Sequence, residues 1–232
     1  KDIEPTRGFR DALIKSVKKN SFAVIAEMKK ASPSQGLIRE IYEPEALAKN
    51  YKEADATCLS VLTDESYFQG SLNHLSIVRE SAELPVLRKD FIVDKYQIYE
   101  SLYRGADCIL LIVAALTQNQ LTEFHQLAIE LKLDVLVEVH TYKELESALK
   151  IEPSIVGINN RNLETFKVNL STTKYLVKEI PDKVLVVSES GIKTREDINK
   201  IISYGVNIFL VGEVFMKSHN PGQKLKDLFF PL

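Results

Sequence analysis

Short unbroken apolar runs return at regular intervals along this chain, and between them the apolar positions fall three and four apart. The runs predict strands over residues 23–29, 57–63, 86–90, 108–113, 135–139, 155–160, 184–188 and 208–212. Helical spacing covers residues 44–52, 72–81, 95–104, 118–131, 142–150, 172–180, 195–203 and 222–228, so strand and helix alternate throughout. Continuous rather than alternating apolar strands are what a parallel sheet buried on both faces produces. Eight such units favour a closed (β/α)8 TIM barrel of the α/β class over an open doubly wound sheet, which more often has about five or six strands. Thr117 with Gln120, Thr141 with Glu144 and Thr194 with Asp197 have the spacing that satisfies free N–H groups at a helix start. Gly105 and Gly205 mark two helix ends. One more amphipathic stretch, residues 9–17 with Phe9, Leu13, Ile14 and Val17, predicts a short helix before the first strand, placed to pack across an end of the barrel.

No linker, low-complexity tract or charge block interrupts the series, so residues 1–232 read as a single barrel domain, close to the ~250 residues such a barrel typically takes. A hydrophobic fraction of 45% with 27% charged residues is enough to bury a large core. The 30 basic and 32 acidic residues are interspersed, without the basic face that a nucleic acid would require. Cys58 and Cys108 each begin an apolar run and read as small buried hydrophobes of a reduced protein, and no metal quartet can be assembled. The longest apolar stretch, Cys108 to Leu116, falls well short of the roughly 18 residues a membrane-spanning helix needs. The Lys1-Asp2-Ile3-Glu4 start does not resemble a signal peptide. A cytoplasmic, membrane-free protein without metal or cofactor is expected.

Several of the apolar runs end in residues that a core would reject. Val24-Ile25-Ala26 runs into Glu27 and Lys29, Pro85-Val86-Leu87 into Arg88, Lys89 and Asp90, Val135-Leu136-Val137 into Glu138, and Ile155 to Ile158 into Asn159, Asn160 and Arg161. Burying an ion costs several kcal/mol even after relaxation, so ends that repeatedly carry charge must share a wet, ligand-accepting space. In a barrel of parallel strands that space is the rim where the strands run out into the following loops. Side chains two apart on a strand share a face, so Glu27 and Lys29 converge, Lys89 points inward with Leu87 while Arg88 faces the helices, and Glu138 points inward with Leu136. Glu27 with Lys29 also reads as an exposed ion pair at a strand end. Lys89 is open to three roles: general acid, electrostatic clamp, or Schiff-base nucleophile if its pKa were depressed. Glu138 is a carboxylate suited to proton transfer. Asn159 offers an amide for a hydroxyl, and Arg161 a fork for a carboxylate or phosphate. Ser188-Glu189-Ser190-Gly191 and Gly212-Glu213 close the last two strands, where barrels often bind phosphate, and residues 214–216 suit a short helix there. Tyr67-Phe68 is either a stacking surface or a loop anchor. His140 belongs to the polar rim, while His74, His125 and His219 are expected to face solvent.

Ala26-Glu27-Met28-Lys29-Lys30-Ala31-Ser32-Pro33-Ser34 resembles the signature of the indole-3-glycerol-phosphate synthase family, the barrel enzymes of tryptophan biosynthesis. So do Leu59-Ser60-Val61-Leu62-Thr63, Leu87-Arg88-Lys89-Asp90-Phe91, Val137-Glu138-Val139, Gly157-Ile158-Asn159-Asn160-Arg161, Ser188-Glu189-Ser190-Gly191-Ile192 and Leu210-Val211-Gly212, in order and suitably spaced. The resemblance implies a lyase that closes the indole ring of 1-(2-carboxyphenylamino)-1-deoxyribulose 5-phosphate with loss of carbon dioxide and water. It implies Lys89 as general acid on the ketone oxygen, Glu138 and Glu27 as proton-transfer carboxylates, and Lys29 as partner of the substrate carboxylate or acid in dehydration. Asn159, Glu189 and Ser60 would orient these groups. Arg161 would meet the anthranilate carboxylate or support the glutamates, and Phe68, Phe91 and Leu110 would line the ring pocket. Ser190, Gly191, Gly212 and Glu213 through its backbone, with Ser32 and Ser34 nearby, would hold the phosphate. The implied partner is a small anionic substrate, and a monomer is expected.

Relative to that family the N-terminal extension, residues 1–20, is short, and a start at Lys1 rather than Met suggests a trimmed or engineered chain. Two other readings stay open: a Schiff-base lysine aldolase or another sugar-phosphate barrel enzyme, and a non-catalytic engineered scaffold.

Overall fold

The computed structural model describes residues 4–163 and 165–230, so the first three positions and the last two of the expected 1–232 unit lie outside the described residues. Within them eight parallel strands close on themselves: β1 (Ala23–Met28), β2 (Cys58–Leu62), β3 (Val86–Lys89), β4 (Cys108–Ile112), β5 (Asp134–Val139), β6 (Ile155–Asn159), β7 (Leu185–Glu189) and β8 (Ile208–Val211). Each strand pairs with its sequence neighbours, and β8 closes the ring on β1 with Ala23 opposite Ile208. The expected TIM barrel is the observed fold, with strand ends within one residue or so of the sequence pattern.

The helices are α1 (Phe9–Asn20), α2 (Pro44–Glu53), α3 (Leu72–Ser81), α4 (Lys95–Tyr103), α5 (Gln118–Glu130), α6 (Tyr142–Leu149), α7 (Ser171–Leu176), α8 (Arg195–Ile202) and α9 (Pro221–Phe229). Thr117 and Thr194 make full capping boxes with Gln120 and Asp197, and Thr141 accepts from the Glu144 N–H. Gly105 and Gly205 sit at φ +87° and +91°, the left-handed conformation that ends a helix without a Cβ clash. The stretch expected as one helix over 172–180 instead tightens into a 3-10 turn at Val177–Glu179. Pro181 is the reason, since it pushes Ile180 into the extended region (φ −92°, ψ 128°). Three short elements carried no signal beforehand or only a partial one: a ribbon pairing Ala31–Ser32 with Gly36–Leu37, and the single turns Glu65–Phe68 and Glu213–Met216.

Strand parity divides the apolar residues into two cores. One lies between strands and helices and contains Val24, Ala26, Leu59, Val61, Val86, Ile109, Leu111, Val135 and Val137. The other fills the barrel with Ala23, Ile25, Cys58, Leu87, Cys108, Leu110, Leu136, Ile155, Val187, Ile208 and Leu210, and is capped by Phe9 and Leu13 of α1. Helix α1 therefore seals the end where the strands begin, and Ser16 ties it to the wall by donating to the Phe22 carbonyl (3.0 Å) and accepting from Thr57 Oγ1 (2.9 Å). With that end closed, access is left to the opposite rim.

Candidate active site

The same parity that puts Ile25, Leu87, Leu136 and Val187 in the barrel core carries Glu27, Lys89, Glu138 and Glu189 one step further, into the open end. They meet under a cavity of about 420 Å³, within the usual size range of small-molecule sites. Lys89 Nζ lies 3.3 Å from Glu138 Oε2 and 3.5 Å from Glu189 Oε2, and Lys29 Nζ lies 2.6 Å from Glu27 Oε1. Asn159 Nδ2 donates to Glu138 Oε1 at 3.3 Å. The Glu27–Lys29 pair is thus formed, but Glu27 is buried, so it is not an exposed pair at a strand end. Arg88 turns the other way as expected, donating to the Gln97 carbonyl, Glu100 and Ser101 of α4.

Two carboxylates have their space cut by glycine. A Cβ at Gly157 would collide with Glu189 Oε1, and one at Gly212 would come within 2.7 Å of Glu27 Oε1 and 2.8 Å of Glu27 Cβ. The reason here is room rather than backbone freedom.

The ionisation of the cluster follows from its packing. For Lys89, burial works against the charge, but Glu138, Glu189 and Glu27 outweigh it and hold the ammonium well above its ordinary value. A Schiff-base lysine needs the reverse shift. Burial likewise opposes the charge on Glu138, yet Lys89 and His140 hold it far below the usual carboxylate range. Glu27 is lowered against burial by Lys29 and Lys89. Glu189 goes the other way, pushed up to about 8 by burial and by the charge of Glu138. Glu27 has Lys29 and Glu138 has His140 besides the shared Lys89, whereas Glu189 has only its share of Lys89, and it is the carboxyl that keeps its proton. Among the described residues its Oε1 is buried without a hydrogen-bond partner, as is Ser60 Oγ.

Around this cluster the remaining sequence candidates take up distinct sides. Phe68, Phe91 and Leu110 line one wall, with the rings of Phe68 and Phe91 6.3 Å apart and Tyr67 6.2 Å from Phe91. Arg161 stands at the rim, 3.3 Å from Glu213 Oε2. Ser190 and Gly191 follow one another at φ +64° and +84°, a turn that gathers successive backbone N–H groups, and a Cβ on Gly191 would strike Val168. Asn160 braces that turn, donating to Ser188 Oγ (3.0 Å) and to the carbonyls of Glu189 (3.0 Å) and Ser190 (3.3 Å). Gly212, Glu213, Ser32 and Ser34 complete that side. Every candidate from the sequence lines the cavity except Ser60, which is fully buried in the barrel beside Glu27 in the strand register.

The sequence reading missed Leu163, Phe166 and Lys193, which also line the cavity. Leu163 and Phe166 are each 46% exposed in an otherwise polar loop, and that exposed apolar character was the available signal. Two histidines depart from expectation: His74 is half-buried against Tyr42 (rings 5.2 Å apart) and His125 is only partly exposed, and burial lowers the pKa of both, whereas His219 is exposed.

The sequence family described as indole-3-glycerol phosphate synthase matches residues 1–228. The chain belongs to that family. Membership makes it a lyase-type enzyme of tryptophan biosynthesis with a small phosphate-bearing substrate. Solved structures agree on the fold alone. The tryptophan synthase α subunit from Legionella pneumophila superposes with a TM-score of 0.70 at 13% identity over 97% of both chains. The N-acetylmannosamine-6-phosphate 2-epimerase from Clostridium perfringens gives 0.67 at 15% identity over 90% of this chain and 93% of its own. A 3-hexulose-6-phosphate synthase gives 0.68 at 12% over 90% and 99%. Like other barrels, the synthase family's fold puts its chemistry at the C-terminal ends of the strands, and no helix among the described residues is long and apolar enough to cross a membrane.

Proposed function

We propose that the chain is a carboxy-lyase that converts 1-(2-carboxyphenylamino)-1-deoxyribulose 5-phosphate into indole-3-glycerol phosphate, carbon dioxide and water, through the residues gathered at this rim. The observation that carries the reading is the protonated Lys89 set among Glu138, Glu189 and Glu27 at the base of a cavity with aromatic side chains on one wall and a backbone turn suited to phosphate on another. The phosphate sits on the N–H groups of Ser190, Gly191, Gly212 and Glu213, flanked by Ser32 and Ser34. The anthranilate ring lies between Phe68, Phe91 and Leu110, with Lys29 and Arg161 at its carboxylate.

In ring closure Lys89 gives a proton to the ketone oxygen as the ring carbon bearing the carboxylate attacks the carbonyl carbon. The new carbon–carbon bond leaves the ring dearomatised, and loss of carbon dioxide returns the electron pair to it. Dehydration then needs an acid on the departing hydroxyl and a base on the remaining proton. Glu189, neutral up to about pH 8, supplies the acid, since Lys89 has given up its proton in ring closure, while Glu138 and Glu27, held ionised, supply bases. Asn159 fixes Glu138 through its amide, and Ser60 lies beside Glu27 in the strand register.

Incubating the chain with the synthetic substrate and following indole fluorescence tests the reading. Product formation with no adduct trapped by borohydride is expected; a trapped lysine adduct establishes the aldolase reading, and absence of turnover establishes a silent barrel.

A further inference from the structure

His140 stands just past the end of β5, outside the cavity lining, with its side chain 7% exposed. Its Nδ1 lies 3.0 Å from Glu144 Oε2, and its backbone N–H donates to the same oxygen at 2.8 Å. Its Nε2 lies 3.3 Å from Glu138 Oε1, while Lys89 approaches the other oxygen, Oε2, of that carboxylate. Each ring nitrogen therefore lies at ion-pair distance from a carboxylate, an acceptor without a proton to give; Nδ1 is aligned for a hydrogen bond and Nε2 is not, and the charge of an imidazolium suits both contacts. Glu144 is itself held by the hydroxyl and the helix-start geometry of Thr141, with Thr141 Oγ1 donating to Glu144 Oε1 at 3.0 Å. A rigid line thus runs from the helical sleeve to the reacting cluster: α6, Glu144, His140, Glu138.

We propose that His140 is a positioning residue for the reaction, a buried cation that Glu144 clamps from the sleeve and that in turn fixes the orientation and charge of Glu138. The proposal rests on Glu138 acting as a base in the reading above. The charged groups around His140 are Glu138 on its own strand and Glu144 with the neighbouring Lys143 on α6. Behind Glu138 stand Lys89 from β3 and Glu189 from β7, and the 3-10 turn Val113–Ala115 packed on this strand carries no charge. Burial lowers the imidazolium, but the two carboxylates outweigh it and hold His140 up at about 9, protonated throughout the neutral range.

The role separates from a merely structural one in the pH profile. His140→Gln keeps a side chain able to reach Glu138 but removes the charge. Its kcat profile, normalised to its own maximum, is expected to lose the part of the alkaline decline centred near pH 9, where wild-type His140 gives up its charge, with KM within about twofold of wild type. His140→Ala, which removes the contact as well, should lower kcat by ~10-fold or more. In ¹⁵N-detected titration of the imidazole ring, wild-type His140 should titrate near pH 9 and Glu144→Gln should lower its midpoint. Thermal melts of each variant confirm that the fold is retained. A His140→Gln profile superimposed on wild type, or a His140 midpoint near the ordinary 6.5, overturns the inference. Glu138→Gln is the control: if it retains wild-type turnover, the functional reading of Glu138 fails, and if it loses turnover while His140→Gln keeps the wild-type profile, only the inference about His140 fails.

Discussion

At the closed end of the barrel, Asp107 accepts from Arg79 Nη1 (2.6 Å) and the Arg7 N–H (2.6 Å) on one oxygen and from the Val86 N–H (2.7 Å) on the other. At the open end, Glu189 has one oxygen with no partner among the described residues, keeps its proton, and shares a single lysine with Glu138. Both carboxyls are fully buried and both sit on barrel strands or their immediate approach. The difference is satisfaction. The closed end gives both oxygens of its buried carboxylate donors and so stabilises the fold, joining the N-terminal segment to α3 and the start of β3. The open end leaves acceptors and like charges crowded, a cost that a bound anion with its own hydroxyls would offset. Satisfied polar groups at one end and crowded charge at the other match the usual division between scaffold and reactive site in this architecture.

The largest effect that sharpens this contrast belongs to the open end. Lys89→Ala and Glu138→Gln should each lower turnover by at least ~10²-fold, measured by indole fluorescence, with the cooperative melt retained. Wild-type-like turnover in either variant removes the cluster from the chemistry.

At the closed end the expectation is reversed. Asp107→Ala leaves the buried Arg79 uncompensated, a change worth about 3 kcal/mol or more, so the melting temperature should fall by about 10 °C while kcat at a temperature where the protein is folded stays unchanged. Loss of kcat at unchanged melting temperature contradicts the division of labour.

Gly157→Ala tests the boundary between the two. The added methyl meets the carboxyl of Glu189 and, less closely, the side chain of Leu136 rather than backbone, so the carboxyl must move and kcat should drop by about 10-fold, with a stability loss of about 1–3 kcal/mol. Unaltered turnover with a large loss of stability places Gly157 with the scaffold instead.

The smallest effect is in the pH dependence of stability. Glu189 and His140 have folded values raised to about 8 and about 9, so their contributions are complete below their ordinary values and are lost as the pH rises through those raised values. Glu27 and Glu138 are lowered, so their contributions are complete above the ordinary carboxylate range and are lost in acid. Thermal melting should therefore be highest in mildly acidic solution and decline toward pH 9, and Glu189→Gln should flatten part of that decline. A decline of the same slope in Glu189→Gln shows that this carboxyl is not the group responsible.

Much of the site could be read along the chain because a strand repeats every two residues. Leu87 inward makes Lys89 inward, Leu136 inward makes Glu138 inward, and eight apolar runs of similar length leave little besides a closed barrel. Loop chemistry was less legible: Leu163 and Phe166 lie in a polar stretch without periodicity, and the ribbon after β1 is too short to register. His140 was legible as rim and no more, since its partners Glu138 and Glu144 bracket it on a strand and on a helix whose relative placement no local pattern states.

By itself the sequence determined the number of strands, the direction of each side chain relative to the sheet, and therefore which residues reach the mouth, because these follow from periods of two and 3.6 that neighbouring residues set. Only the tertiary structure decided that Glu189 keeps its proton while Glu138 loses it, that Gly157 and Gly212 make room for two carboxylates, and that a histidine backs one of them. Protonation and fit depend on burial and on distances through space between residues far apart in the chain, and spacing along a sequence does not contain those distances.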